Sequence, residues 1–281
     1  MKEEKWDTVI TSKAPVFDLR LSEIWRYRDL LMLFVKRDIA QVYKQTILGP
    51  LWFFIQPIIT TVVFTVVFGK MAEIPTDGIP PVLFYLSGIT FWNFFAESLN
   101  KSSTVFRDNQ NIFGKVYFCR LVLPLSIVMN NLVKLGIQLT MFLLFYFYFL
   151  VTNPLIQPNL YALLFPVLVL TTAGLALGFG LIITSMTAKY RDLLFLIQFG
   201  IQLWMFATPI IYPLSEVPAG RQIYAVLNPM TAVIETFKYG FLGEGTFSWL
   251  YLGYSAGFML IIVIAGIISF NRIEKTFVDI I

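Results

Sequence analysis

Histidine is absent from this chain, and cysteine occurs once, at Cys119. One cysteine leaves no internal disulfide, and the absence of histidine removes the usual zinc and haem sites and the Ser-His and Cys-His nucleophile pairs. No segment matches the phosphate-binding pattern G-x-x-x-x-G-K-[ST], since Gly114 and Lys115 lack the upstream glycine. We therefore expect no metal, no cofactor and no catalytic residue in this chain.

Charged residues are also scarce, at 14% of the 281 residues, whereas hydrophobic residues make up 57% and the mean hydropathy is +0.74. Such a chain is too apolar for an ordinary soluble domain. A helix needs about 20 apolar residues to cross a bilayer. Six stretches approach that length, at 47–69, 81–99, 122–151, 161–186, 193–213 and 249–270. The sequence therefore predicts an all-α membrane protein with six transmembrane helices.

Lysine and arginine indicate the orientation of these spans. They concentrate in the first 46 residues, in the connections at 100–121 and 187–192, and in the tail at 271–281. Because cytoplasmic connections carry the positive excess, these segments and both termini are predicted to be cytoplasmic. The predicted organisation is thus a cytoplasmic N-terminal segment at 1–46, a transmembrane domain at 47–270 and a cytoplasmic tail.

An amphipathic helix is predicted at about 23–46, before the first span. Its apolar face would carry Ile24, Tyr27, Leu31, Phe34, Val35, Ile39 and Val42, with Arg26, Asp29, Lys36, Arg37 and Lys44 roughly opposite. Such a helix should lie along the membrane surface, with its apolar face in the lipid boundary and its basic face toward headgroups or a partner. A plain membrane anchor remains the alternative.

The predicted external stretch at 221–245 contains two apolar pieces that are each too short to cross, separated by Asn228-Pro229. This pattern favours a re-entrant pair of half-helices, which is tolerated where protein or water surrounds the backbone. An ordinary amphipathic external cap remains the alternative.

Polar side chains interrupt the predicted spans at a few positions. Asn131, Lys134 and Gln138 share one face of the third span, and Glu97 lies near the cytoplasmic end of the second. A charge in a bilayer usually faces a partner, the bundle interior or water. We therefore expect Lys134 to pair with Glu97 or to extend its ammonium group to the interface.

Aromatic residues are abundant, and interfacial belts or lipid-facing packing explain most of them. The rings of four would suit sugars if they faced a channel: Trp52, Phe53, Trp92 and Trp204.

Four segments occur in a family-specific order: KRDIAQVYKQTILGPLWFFIQPI at 36–58, KYRDLLFLIQFGIQLWMFATPIIYP at 189–213, NPM at 228–230 and NRIEKTFVDII at 271–281. With the predicted topology, they resemble the membrane subunit of ABC-2 type transporters. The resemblance is closest to the permeases that export lipid-linked surface polysaccharides such as O-antigen, capsule or teichoic acid.

The resemblance implies a homodimer in the bacterial inner membrane, bound to two copies of a separate cytosolic ATPase subunit that holds ATP and Mg. The substrate would be an undecaprenyl-linked glycan that crosses through a channel at the dimer interface, among membrane lipids and without nucleic acid. Two cytoplasmic connections would dock on the ATPase. The implied coupling residues are Phe113, Lys115, Tyr117, Lys189, Tyr190, Arg191 and Asp192.

Several alternatives remain open at the level of sequence. One alternative is that Lys189 and Arg191 serve only to enforce topology. Another alternative is an ABC-2 permease whose transported substrate is a drug, a lipid or another small molecule. A glycan- or lipid-modifying membrane enzyme should show clustered acidic residues or histidine at an interface, and a passive channel or scaffold would need no ATPase.

Overall fold

The computed structural model describes residues 21–44, 49–110, 118–190 and 192–277, and every regular element in these ranges is a helix. The predicted all-α class is therefore confirmed for this part of the chain. The helices are α1 (Leu21–Arg26), α2 (Arg28–Lys44), α3 (Trp52–Phe64), α4 (Pro81–Ser103), α5 (Val105–Asp108), α6 (Val122–Thr152), α7 (Phe165–Thr187), α8 (Leu193–Phe206), α9 (Gln222–Val226), α10 (Pro229–Leu242) and α11 (Trp249–Phe277). A π-helical stretch, Thr65–Met71, extends α3, and a 3₁₀ turn, Leu160–Leu164, precedes α7.

Four helical segments in the described ranges are long and apolar enough to cross a membrane: Trp52–Met71, Val122–Thr152, Leu160–Thr187 and Trp249–Glu274. The other two predicted spans correspond to α4, which has 23 residues and carries Glu97 and Lys101, and to α8, which has 14 residues. The count of six spans therefore stays a prediction.

Helix α8 ends at Phe206, seven residues before the predicted end of the fifth span at 213. The next residues include Pro209 and Pro213. Proline has no backbone N–H to donate, and it disfavours helical backbone in the residue before it. The segment 207–213 consequently leaves the helix, although its apolar composition matches that of a span.

Helix α4 forms the centre of the helical core. Its side chains Phe84, Tyr85, Phe91 and Phe95 are fully buried among α3, α6, α7 and α10. The neighbouring α7 packs closely on α11, where a Cβ added at Gly178 would lie only 2.6 Å from Ile262 Cγ2. Aromatic rings and close backbone contacts therefore fix the middle of the bundle.

The amphipathic segment is divided by a turn at Tyr27 into α1 and α2, and α2 ends at Lys44. Leu31, Phe34 and Val35 of its apolar face are buried, and the Phe34 ring centroid lies 5.9 Å from that of Phe118. The prediction that this face lies in the lipid boundary is wrong for these three residues, because they pack on protein. The sequence pattern marks an apolar face without identifying what covers it.

A helix break occurs at the predicted position in the segment 221–245. Helix α9 ends at Val226, and α10 begins at Pro229 with Asn228 as its N-cap, whose side chain accepts a hydrogen bond from the Met230 N–H at 3.0 Å. Almost all of α10 is buried inside the protein. Its re-entrant path through a membrane stays a prediction.

A buried ion pair holds α10 against its surroundings. Lys238 Nζ lies 3.5 Å from Glu235 Oε1, and both side chains are at least 98% buried. The same ammonium group donates to the Pro209 carbonyl at 2.8 Å and lies 3.6 Å from the centroid of the Phe84 ring. The other carboxylate oxygen of Glu235 accepts from the Thr246 N–H at 3.1 Å. We call this group the α10 clasp, because it fastens α4, the segment 207–213 and the turn after α10 together.

We predict that Lys238→Met lowers the stability of the purified protein in detergent. The substitution leaves Glu235 as a buried carboxylate without its cation, which typically costs about 3–5 kcal/mol. The midpoint of thermal unfolding should therefore fall clearly, whereas Lys70→Met, at an exposed lysine, should leave it unchanged. The double variant Glu235→Gln/Lys238→Met should recover part of the loss. Equal midpoints for Lys238→Met and Lys70→Met would contradict a stabilising role of the clasp.

Candidate functional site

Trp204 of α8 is the centre of an aromatic cluster. Its ring centroid lies 6.3 Å from that of Trp92, 5.1 Å from that of Phe95 and 5.3 Å from that of Phe179. All three contacts are close to edge-to-face, the arrangement that aromatic quadrupoles favour. Helix α8 is thereby held to α4 and α7 at one point along its length.

An open groove of about 590 Å³ borders the half-buried Trp204. Its other lining residues are apolar and come from α4, α7 and α8 and from the residue after α8: Leu99, Ile183, Leu196, Ile197, Gly200, Ile201, Leu203 and Ala207. Of the four aromatic residues that the sequence suggests for a channel, Trp204 is the one that reaches this groove.

The other three, Trp52, Phe53 and Trp92, have different surroundings. Trp92 contacts Trp204 but is itself buried, so it packs in the core and does not line an open surface. Trp52, at the start of α3, is about half exposed, and the ring of Phe53 lies 5.1 Å from Lys134 Nζ. The four residues therefore do not form a single aromatic wall within one copy of the chain.

The polar residues of the third predicted span face α4. Lys134 Nζ donates a hydrogen bond to Glu97 Oε1, and Lys101 Nζ lies 3.0 Å from the same oxygen. One turn away, the Asn131 amide donates to Ser98 Oγ at 3.1 Å. Two ammonium groups thus share one carboxylate, and these contacts tie α6 to the C-terminal end of α4. Gln138 is also buried, on the same face of α6.

A polar pocket of about 430 Å³ is lined by α2, the C-terminal end of α4, α5 and the N-terminal part of α6. The acidic and basic groups on its rim are already paired with neighbours: Arg37 Nε lies 2.8 Å from Asp38, Arg107 Nε lies 2.8 Å from Asp108, and Lys101 lies beside Glu97. The pocket is consequently balanced in charge and is not selective for an anion or a cation by charge alone.

The connection between α7 and α8 presents charged and aromatic side chains to solvent. Lys189, Tyr190 and Asp192 are exposed, and Lys189 Nζ lies 5.3 Å from the Tyr190 ring. Asp192 occupies the N-cap position of α8 but makes no capping hydrogen bond with its side chain. Its backbone is helical there, with φ −66° and ψ −26°, whereas capping normally requires extended backbone. Arg191 and, in the other connection, Phe113, Lys115 and Tyr117 lie outside the described residues.

Two features of the site escaped prediction from sequence. The first is a hydrogen bond of 2.9 Å from Thr187 Oγ1, at the end of α7, to the carbonyl of Ser103, at the end of α4. No sequence pattern distinguishes this threonine from others in apolar helices. The second is the buried ion pair between Glu235 and Lys238. Opposite charges three residues apart in an apolar helical segment could have predicted this pair.

Comparison with known proteins identifies relatives along most of the chain. Residues 29–242 match the family model described as ABC-2 type transporter. An O-antigen export system permease protein, RfbA, of Myxococcus xanthus is 29% identical over 218 residues, covering 77% of this chain and 81% of the relative. An RfbA protein of Klebsiella pneumoniae is 26% identical over 90% of this chain and 95% of its own length. The polysialic acid transport protein KpsM of Escherichia coli is 23% identical over 85% of this chain and 91% of its own length.

The family match covers the core around α4, the aromatic cluster and the connection between α7 and α8. Together with the long apolar helices, it identifies a multi-pass membrane protein. The resemblance drawn from the sequence is confirmed: the chain belongs to the ABC-2 type transporter family.

Proposed function

We propose that this chain is the permease subunit of an ATP-driven exporter that moves lipid-linked surface polysaccharide, of O-antigen, capsule or teichoic acid type, across the bacterial inner membrane. The observation that carries the proposal is that this chain is similar to permeases named for O-antigen export over almost their whole length. The alignment with one of them covers 90% of this chain and 95% of the relative. A relative named for polysialic acid transport aligns over a comparable share.

In this proposal the chain crosses the membrane six times, with both termini in the cytoplasm. The 23 residues of α4 span about 34 Å at 1.5 Å per residue, which suffices for a bilayer core of about 30 Å. The 14 residues of α8 span only about 21 Å, so the segment 207–213 must complete that crossing. Non-helical backbone is tolerated at membrane depth where protein surrounds it, and Thr208, Pro209 and Ile210 are buried.

ATP and Mg would be bound by a separate ATPase, two copies of which would dock on a homodimer of this chain. The exposed Lys189, Tyr190 and Asp192 supply charge and an aromatic ring to such a docking surface. Arg191 belongs to the same connection, and Phe113, Lys115 and Tyr117 belong to the other one. This chain would contribute movement and a path for the substrate, with no catalytic residue of its own.

The path for the glycan would run along α8. This helix buries Leu194 and Ile201 but exposes Phe195, Phe199 and Phe206. Facing a second copy, these rings and the groove beside Trp204 would enclose a channel whose flat apolar faces suit the C–H groups of sugars. The undecaprenyl chain of the substrate would remain in the surrounding lipid.

We predict that deletion of the gene stops surface display of the glycan while its synthesis continues. Polyprenyl-linked glycan should then accumulate on the cytoplasmic side, measured as lipid-linked sugar that surface labelling of intact cells cannot reach. Restoration of export should require both this chain and an active ATPase. Normal surface glycan together with altered drug or lipid efflux would overturn the proposal in favour of a permease for a small substrate.

We predict that Arg191→Glu leaves the protein inserted in the membrane but uncouples ATP hydrolysis from export, so that less glycan is exported for each ATP hydrolysed. Charge reversal removes a cation from the predicted docking surface and adds repulsion against an acidic partner group. The measurement is the amount of glycan exported per ATP hydrolysed. Arg221→Glu, at an exposed arginine in the connection after α8, is the matched control and should behave as wild type. Wild-type export by Arg191→Glu would contradict a coupling role for this connection.

We predict that Trp204→Ala slows export about fivefold without weakening the association with the ATPase. An aromatic contact with a passing sugar contributes about 1 kcal/mol, which corresponds to that change in rate. Trp249→Ala removes an exposed tryptophan at the start of α11 and serves as the control. Equal export by Trp204→Ala and wild type would assign Trp204 to packing alone.

A further inference from the structure

We propose that the C-terminal end of α4 (residues 97–103) joins α6 and α7, the helices next to the two predicted coupling connections, into one rigid body, with Thr187 as a positioning residue. A displacement that the ATPase imposes on either connection would then move α4, α6 and α7 together. This inference rests on the proposed function, because it assigns a mechanical role to the connections that would contact the ATPase.

The first link joins α4 to α7. Thr187 Oγ1 donates to the Ser103 carbonyl at 2.9 Å, and both residues are buried. The two helices also approach closely about two turns earlier in α7, where a Cβ added at Gly180 would lie 2.4 Å from Ser102 Cβ. Since Ser103 ends α4 and Thr187 ends α7, the connections 104–121 and 188–192 both start at this hydrogen bond.

The hydroxyl of Thr187 differs in its bonding from other buried threonines of α7. Thr171 and Thr172 donate to Val167 and Leu168, each four residues earlier in the same helix. Thr187 reaches another helix, although its hydroxyl also lies 3.3 Å from the Thr184 carbonyl. The last carbonyls of a helix lack intrahelical partners, so the Ser103 carbonyl gains from α7 a donor that its own helix cannot supply.

The second link joins α4 to α6. Glu97 accepts a hydrogen bond from Lys134, and Ser98 Oγ accepts one from the Asn131 amide at 3.1 Å. Helix α6 begins at Val122, immediately after the connection 104–121. This connection therefore begins and ends at helices that are held together by a partly buried charged contact and a buried hydrogen bond. Buried contacts of this kind have discrete geometry and resist gradual deformation.

The test uses the complete complex of permease and ATPase in lipid vesicles, with export and ATP hydrolysis measured in the same sample. Thr187→Val keeps the shape of the side chain but removes the hydroxyl. We expect ATP hydrolysis to continue, while glycan exported per ATP falls about threefold or more, the scale of coupling carried by single residues. Thr187→Ser should retain wild-type coupling because the hydroxyl is kept. The matched control is Thr172→Val, which removes an equally buried hydroxyl that bonds only within α7.

A second set of variants tests the link to α6 and remains informative if Thr187→Val fails to fold. Glu97→Lys and Lys134→Glu should each reduce export per ATP, and the double variant with exchanged charges should recover part of the loss. Export per ATP equal to wild type in Thr187→Val, or in both single charge variants, would overturn the inference. Failure of wild-type export to depend on an ATPase would instead overturn the proposed function, so the two failures are distinguishable.

Discussion

An ammonium group that is buried away from water needs hydrogen-bond and charge partners inside the protein. Two buried lysines, Lys238 of α10 and Lys134 of α6, find such partners near opposite ends of α4. Near the start of the helix, Lys238 lies over the Phe84 ring and bonds to Pro209. Near its end, Lys134 bonds to Glu97. Unpaired buried charge is costly, so these contacts hold α10 and α6 in place on α4. The aromatic core between them can then pack with a single geometry.

Helix α8 contrasts with this fixed centre. It buries few of its own residues, and its main attachment in mid-helix is the contact of Trp204 with Trp92, Phe95 and Phe179. Beyond its C-terminal end, the segment 207–213 is fastened by the hydrogen bond of 2.8 Å from the Asn228 amide to Thr208 Oγ1 and by the α10 clasp. The helix is thus anchored beyond its C-terminal end and at this aromatic contact, and apart from Leu194 and Ile201 its residues are half-buried or exposed.

The sequence predicted most helix positions, because long apolar runs bounded by polar residues specify them. The predicted spans 122–151 and 161–186 agree closely with Val122–Thr152 and Leu160–Thr187. The predicted fifth span extends seven residues beyond the end of α8 at Phe206. Apolar composition favours a longer helix there, whereas Pro209 ends it. The apolar face of α2 was predicted correctly, but the prediction that lipid covers it was wrong for Leu31, Phe34 and Val35, which pack on protein. Lipid and a protein core favour the same apolar side chains, so the sequence does not distinguish them.

The candidate site was predictable to the extent that charge is rare in apolar helices. A lysine and a glutamate in neighbouring spans suggested a pair, and the structure places Lys134 against Glu97. Aromatic residues gave a weaker signal, because Trp92 and Trp204 occur in equally apolar surroundings yet only Trp204 borders the groove. The hydrogen bond from Thr187 to the Ser103 carbonyl depends on the close approach of α4 and α7. That approach results from packing of the whole bundle, so the sequence of neither helix alone predicts it.

The connection 188–192 therefore separates two mechanically different parts of the molecule. On one side, α7 is held to α4 by the Thr187 hydrogen bond and to α11 by a contact that leaves no room for a methyl group at Gly178. On the other side, α8 lacks a side-chain cap at Asp192 and begins with exposed Phe195 and Leu196. A displacement applied at this junction meets far less packing resistance from α8 than from α7. Helix α8, which buries only Leu194 and Ile201, is therefore the more weakly packed of the two helices that this connection joins.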